Sequence, residues 1–206
     1  MRTKNIIACL LLLFAAQAVS AQNNADAIIR VLVDQIKSHK NAEMAFSYQI
    51  GSDKNLSESL KGHAWLQGEA YKTEMADQQT ISDGKTIWLY LIDDEEIMVS
   101  NASEGTDNTP LKILTSLDKS YVASLTNIDA KGIATIELAN PKGQYKRVTL
   151  KINAKKTELK SVDIYMEDGN KISITVEEMK FDQKLDDNFF TFDTKKHPKV
   201  DVIDMR

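Results

Sequence analysis

Catalysis needs side chains that attack, move protons or hold a metal, and this chain supplies few that could act together. Its three histidines, His39, His63 and His197, stand in no metal-ligand spacing such as H-E-x-x-H. Each reads as a surface or helix-end residue. No G-x-S-x-G elbow is present, and Cys9 is the only cysteine. The run Asp93-Asp94-Glu95-Glu96 offers carboxylates for calcium, but it is too short for an EF-hand loop, and a solvated hairpin tip explains it more simply. A carboxylate pair for glycoside hydrolysis would have to be found among 30 acids, and no pair is singled out. No catalytic residue, metal or cofactor is expected.

The elements that would position any site begin after an N-terminal leader. Arg2 and Lys4 precede an apolar run from Ile6 to Ala16, followed by Val19-Ser20-Ala21. A charged start, a short apolar stretch and small residues describe a secretory signal peptide over 1–21, too short to span a bilayer well. Cys9 lies inside that run, so the mature chain, 22–206, would be free of thiols and disulfides. Losing Arg2 and Lys4 leaves 24 basic against 30 acidic residues, and no basic stripe suggests nucleic acid. About 185 residues fit one domain, able to bury roughly 70% of its unfolded surface.

A helix is predicted from Asn24 to Lys40. Asn24 caps it, Asp26 suits its positive end, and Lys37, His39 and Lys40 suit its negative end. Ile28, Val31, Leu32 and Ile36 form an apolar stripe that Ile29 and Val33 widen. Met44, Phe46, Tyr48 and Ile50 then alternate with Ala45, Ser47 and Gln49 as a strand. Further strands are expected at 62–66, 70–75, 87–92, 96–101, 120–127, 133–139, 145–152, 158–166 and 171–181. The phase change from Ile172, Ile174 and Val176 to Met179 and Phe181 predicts a bulge near Glu177. One more short helix is expected, with Thr109 as cap, Pro110 at its first position and Leu111, Ile113, Leu114 and Leu117 following.

The segment that organises the rest runs from Gln79 to Ile92. Asp83-Gly84 predicts a two-residue type I′ hairpin. The strand after it is apolar on both faces, with Ile87, Leu89 and Leu91 on one and Trp88, Tyr90 and Ile92 on the other. Such a strand belongs mid-sheet with something covering each side. The predicted fold is mainly β, a strongly curved antiparallel sheet or incomplete barrel with amphipathic helices. Phe46, Tyr48, Met75, Trp88, Tyr90 and Met98 are candidates for its interior. They could fill one packed core, or they could line a ligand cavity.

Several motifs in order resemble the LolA-like periplasmic carriers of outer-membrane lipoproteins. Ile81-Ser82-Asp83-Gly84-Lys85-Thr86-Ile87-Trp88-Leu89-Tyr90 is similar to that family's SDGKTLWxY hairpin. Asn108-Thr109-Pro110-Leu111 resembles the NTP that opens its lid helix. Asn188-Phe189-Phe190-Thr191-Phe192 and Val200-Asp201-Val202-Ile203-Asp204 resemble its FxF…VxVID ending. The resemblance implies an incomplete barrel whose helices lie in the concave side as a lid, with acyl chains held between. It also implies a monomeric, non-enzymatic periplasmic carrier that takes cargo from an inner-membrane ABC lipoprotein-releasing complex and delivers it to an outer-membrane acceptor. Ile28, Leu32, Ile36, Leu111, Leu114 and Leu117 would then be lid residues, covering the cavity when empty and shifting when loaded. The family's carriers often place an Arg-Pro pair after the strand matching Trp65-Leu66, and the arginine hydrogen-bonds the lid. Gln67 and Gly68 stand there in this chain, and a neutral hydrogen bond from Gln67 has roughly half the strength of a charge-assisted one. A periplasmic carrier or sensor of another lipid or hydrophobic ligand on the same scaffold is the alternative function.

Overall fold

The computed structural model describes residues 24–52, 54–103, 121–139 and 145–206. The expected leader at 1–21, the helix at 109–117 and the 140–143 turn lie outside the described residues. Helix α1 covers 24–38. Among the described residues thirteen strands follow and form one sheet. They are β1 (Ala42–Ser52), β2 (Asn55–Leu56), β3 (Leu60–Gln67), β4 (Ala70–Glu74), β5 (Gln78–Ser82), β6 (Thr86–Leu91) and β7 (Glu96–Asn101). Then come β8 (Val122–Ile128), β9 (Ile133–Ala139), β10 (Arg147–Asn153), β11 (Glu158–Tyr165), β12 (Lys171–Phe181) and β13 (Asp201–Asp204).

The strand order is β13-β7-β6-β5-β4-β3-β1-β12-β11-β10-β9-β8, with β2 pairing β1 alone. β1 is therefore the spine. Consecutive hairpins run from it to one margin through β3–β7, and β12 back to β8 run to the other. β8 and β13 do not pair, so the curved sheet stays unclosed. This is the incomplete barrel that the alternation predicts. The chain between β7 and β8 links strands that stand near opposite margins.

Curvature has a visible source in the β1 and β8–β12 half. Ala45 faces Glu178 while Phe46 faces Val176, which leaves Glu177 as the extra residue at the predicted bulge. Lys160 on β11 and Thr126 on β8 are extra residues of the same kind. Each bulge bends its strand and increases the local twist.

The hairpin at Asp83-Gly84 differs from expectation. Only Gly84 has positive φ, at 89°, and the Asp83 amide donates to the Thr86 carbonyl at 3.4 Å. The central pair is thus Gly84-Lys85, with glycine where a type II′ turn requires it. Asp83 Oδ1 accepts from the amides of Lys85 (2.8 Å) and Thr86 (2.7 Å), so the aspartate shapes the turn from its flank.

Gly62 has a packing reason. A Cβ there would stand 2.5 Å from Phe46 Cζ and 3.0 Å from the Glu74 carbonyl oxygen. The buried Phe46 ring lies across the space that the glycine leaves. Gly62→Ala should therefore destabilise the protein by about 1–3 kcal/mol, the usual cost of overpacking. The urea midpoint should fall with an unchanged slope, and an unchanged midpoint would show that the ring can move aside freely.

Candidate functional site

Cross-strand partners share a face, so the register sorts every strand residue to one side of the sheet. Met44 pairs with Ala64, which pairs with Thr73, then Thr80, Leu89 and Met98. In the other direction Met44 pairs with Met179, and Tyr48 with Ile174 and then Val162. This is the inner face, because its residues join α1 in one buried core cluster.

Two zones divide it. Under α1 the inner rows are sealed: Ile136, Val148, Leu150, Ile152 and Val162 are fully buried, together with Leu32 and Ile36 of the helix. Over β6 and β7 the inner residues Leu89, Leu91 and Met98 are only partly buried, as Met75 is on the loop after β4. Ile28 and Met75 pack at the margin of the sealed core. An apolar strip half-covered beside α1 is the feature of the described residues best suited to an extended hydrocarbon.

The structure brings Leu32, Ile36, Phe46 and Tyr48 together in that core, with Ile28 and Met75 against it. Met98 shares their face. Leu111, Leu114 and Leu117 lie outside the described residues. Trp88 and Tyr90 are corrected. Trp88 pairs with Ile81 and Val99, and Tyr90 with Gln79 and Ile97, all on the outer face. Because both faces of this strand are apolar, periodicity alone could not say which faced inward. Leu89 and Leu91 are the inner residues, and the charged alternation Lys72 and Glu74 on β4 was the available signal, since it turns Tyr71 and Thr73 inward.

The outer face over β3–β7 has its own cover. Phe189 meets Trp65 edge-on at 5.3 Å, while Phe192 and His197 lie 5.3 and 5.1 Å from Tyr90. Lys72 Nζ sits 5.1 Å above the Phe189 ring and 2.7 Å from Glu74 Oε1. Phe190, Ile81, Ile97 and Val99 are buried there, outside the main cluster. The C-terminal segment thus caps the outer face.

At its C-terminal end α1 is tied to the end of β12. His39 Nδ1 donates to Asp182 Oδ2 at 2.7 Å, and the Lys40 amide donates to Asp182 Oδ1 at 2.7 Å. The His39 ring stacks on Phe181 at 4.2 Å. Buried Asn41 exchanges two bonds with the Gln183 backbone, 2.8 and 2.9 Å. The His39 hydrogen bond, then the Lys40 amide, hold the Asp182 carboxyl below its ordinary 3.8.

Comparison with known proteins agrees with this geometry. The family model for the outer membrane lipoprotein carrier protein LolA matches residues 70–193. The chain belongs to the LolA family. An outer-membrane lipoprotein carrier protein from Pasteurella multocida (strain Pm70) is 33% identical over 88 residues, which span 43% of this chain and only 36% of that protein. An uncharacterized conserved protein from Thermus thermophilus shares the fold at TM-score 0.56 and 11% identity, over 85% of this chain and 98% of its own. A LolA superfamily protein from Nitrosomonas europaea aligns over 82% and 97% at 12% identity, with TM-score 0.44.

Against the LolA pattern, the Gln67 position is informative. Gln67 pairs with Ala70 in the phase of Trp65, on the outer face, and Gly68 follows with φ of 59°. That register places Gln67 on the face opposite α1. Among the described residues the His39–Asp182 contact is what ties this helix to the sheet by charge. Asp182→Asn keeps a residue that tolerates the φ of 55° found there but removes the charge. A depressed carboxylate stabilises above its unfolded pKa and loses that contribution as pH falls through its folded value. The variant should melt below the native protein above pH 3.8, and the gap should close as pH drops further. A gap independent of pH, followed by thermal melts in acid, would rule out this charge as the tie.

Proposed function

We propose that this protein is a periplasmic, non-enzymatic carrier that holds the acyl chains of lipoproteins and shuttles them from the inner to the outer membrane. The half-covered inner strip of Leu89, Leu91 and Met98, in a LolA-family chain, carries this reading. The leader would be 1–21 and the carrier domain 22–206. Ile28, Leu32, Ile36, Phe46, Tyr48, Met75 and Met98 would line the acyl site, with Leu111, Leu114 and Leu117 completing the lid. An inner-membrane ABC complex would load the carrier, and an outer-membrane acceptor would unload it.

Burying a chain of about sixteen carbons is worth on the order of 12 kcal/mol at roughly 0.8 per CH₂. Cargo held that tightly would not leave. If α1 side chains occupy the same surface when cargo is absent, loading must displace them, and the net affinity falls by what that displacement costs. α1 suits this role because side-chain packing joins it to the sheet and, among the described residues, its polar ties to the sheet lie at one end, at His39 and Asn41. Lifting its other end would break no strand ladder.

Two measurements test the reading. Native mass spectrometry of protein purified from its own periplasm should reveal an added polypeptide bearing acyl chains. A lipid mass alone would point to the alternative carrier, and no adduct under any loading condition would overturn transport. Ile28→Glu should reduce loading with a synthetic diacylated lipopeptide at least about tenfold, since a charge resists burial without a partner. Its circular dichroism should keep the native β-signal, and undiminished loading would remove α1 from the lid.

A further inference from the structure

The inner face is not uniformly apolar. Where it crosses β4 and β5, it carries Tyr71 and Thr73 opposite Ser82 and Thr80. Four hydroxyl-bearing residues thus lie side by side between the sealed core and the half-covered strip. Ser82 is fully buried, and its Oγ accepts from the Gly84 amide at 3.1 Å. Thr73 is 5% exposed, and its Oγ1 is buried without a hydrogen-bond partner among the described residues. Its neighbours on that face are Ala64 and Thr80. A second such atom, Gln35 Oε1, belongs to α1.

A buried hydroxyl that finds no partner is costly, and few native side chains tolerate it. Valine has the same shape and would fill the site without that penalty. A bare hydrocarbon has no group that could satisfy Thr73. An acylated molecule does, at one place: the ester or amide carbonyls where the chains join their head. We propose that Thr73 is the anchor for that carbonyl, donating its hydroxyl hydrogen, while the chains run along Leu89, Leu91 and Met98. Resting on the carrier reading above, this adds a position and a chemistry: the site selects fatty chains that carry an acyl carbonyl over plain hydrocarbons of equal length. Tyr71, Thr80 and Ser82 make the surrounding strip tolerant of the polar linkage.

The test compares three forms of the mature chain, native, Thr73→Val and Thr73→Ser, with two probes. One is a synthetic dipalmitoyl-glyceryl-cysteine peptide, and the other is the uncharged fluorophore N-phenyl-1-naphthylamine, which has no acyl carbonyl. Thr73→Val should bind the lipopeptide about three- to tenfold more weakly, the usual effect of one lost neutral hydrogen bond. It should bind the fluorophore as well as the native protein or better, and Thr73→Ser should restore lipopeptide binding. Equal lipopeptide affinity in Thr73→Val would overturn the anchor while leaving the carrier reading intact. An equal loss for both probes, or no rescue by serine, would overturn it too, since cavity shape would then be the cause. Failure of the native protein to bind either probe would instead remove the carrier reading itself.

Discussion

A sheet that bends without closing cannot seal its own inner face. In a closed barrel every strand is paired on both sides, and the interior fills with side chains from all around. Here, among the described residues, β8 and β13 stand at unpaired margins, so another element must cover the inner surface. α1 does so across β9–β12 and β1, where the inner rows lose essentially all contact with water. Among the described residues its attachment comes from apolar contact and a polar tie at one end. Such a cover, unlike a paired strand, is held without a backbone ladder.

The two halves of the sheet differ accordingly. Bulges at Glu177, Lys160 and Thr126 bend the half that wraps the helix, and its inner rows are mainly apolar, with Ile136, Val148, Leu150, Ile152 and Val162 fully buried. Among the described residues no register shift interrupts the β3–β7 pairings. Hydroxyl groups and half-buried apolar side chains mix on its inner surface. One half is therefore packed as an ordinary core, while the other sets hydroxyl groups beside half-buried apolar side chains, the mixture on which the proposed acyl site rests.

On the outer side the same β3–β7 half is covered by the chain's own C-terminal segment. The C-terminal segment lays Phe189, Phe190 and Phe192 against Trp65, Tyr90 and their neighbours, then returns as β13 in parallel register with β7. Fixing that side matters to the other one. A sheet covered on one face by rigid aromatic packing can lose part of its cover on the opposite face without losing its shape.

By itself the sequence determined the local order of this protein. Period-two alternation set the strands, turn residues set the hairpins, 3–4 spacing set α1, and the phase change after Val176 placed the bulge at Glu177. Those signals are short-range: each depends on residues within a few positions of one another. The motif run from Ile81 to Tyr90 also carried the family. What the sequence left undecided was the facing of strand 87–92, because apolar residues on both sides give periodicity no direction. Only pairing with β5 and β7 turned Leu89 inward and Trp88 outward. Likewise, nothing near Phe189 in the chain says that it will meet Trp65, and nothing near Thr73 says that its hydroxyl will be buried without a partner. Those facts arise from contacts between residues far apart in sequence, and burial is a property of the assembled sheet and its covers, which only tertiary structure decides.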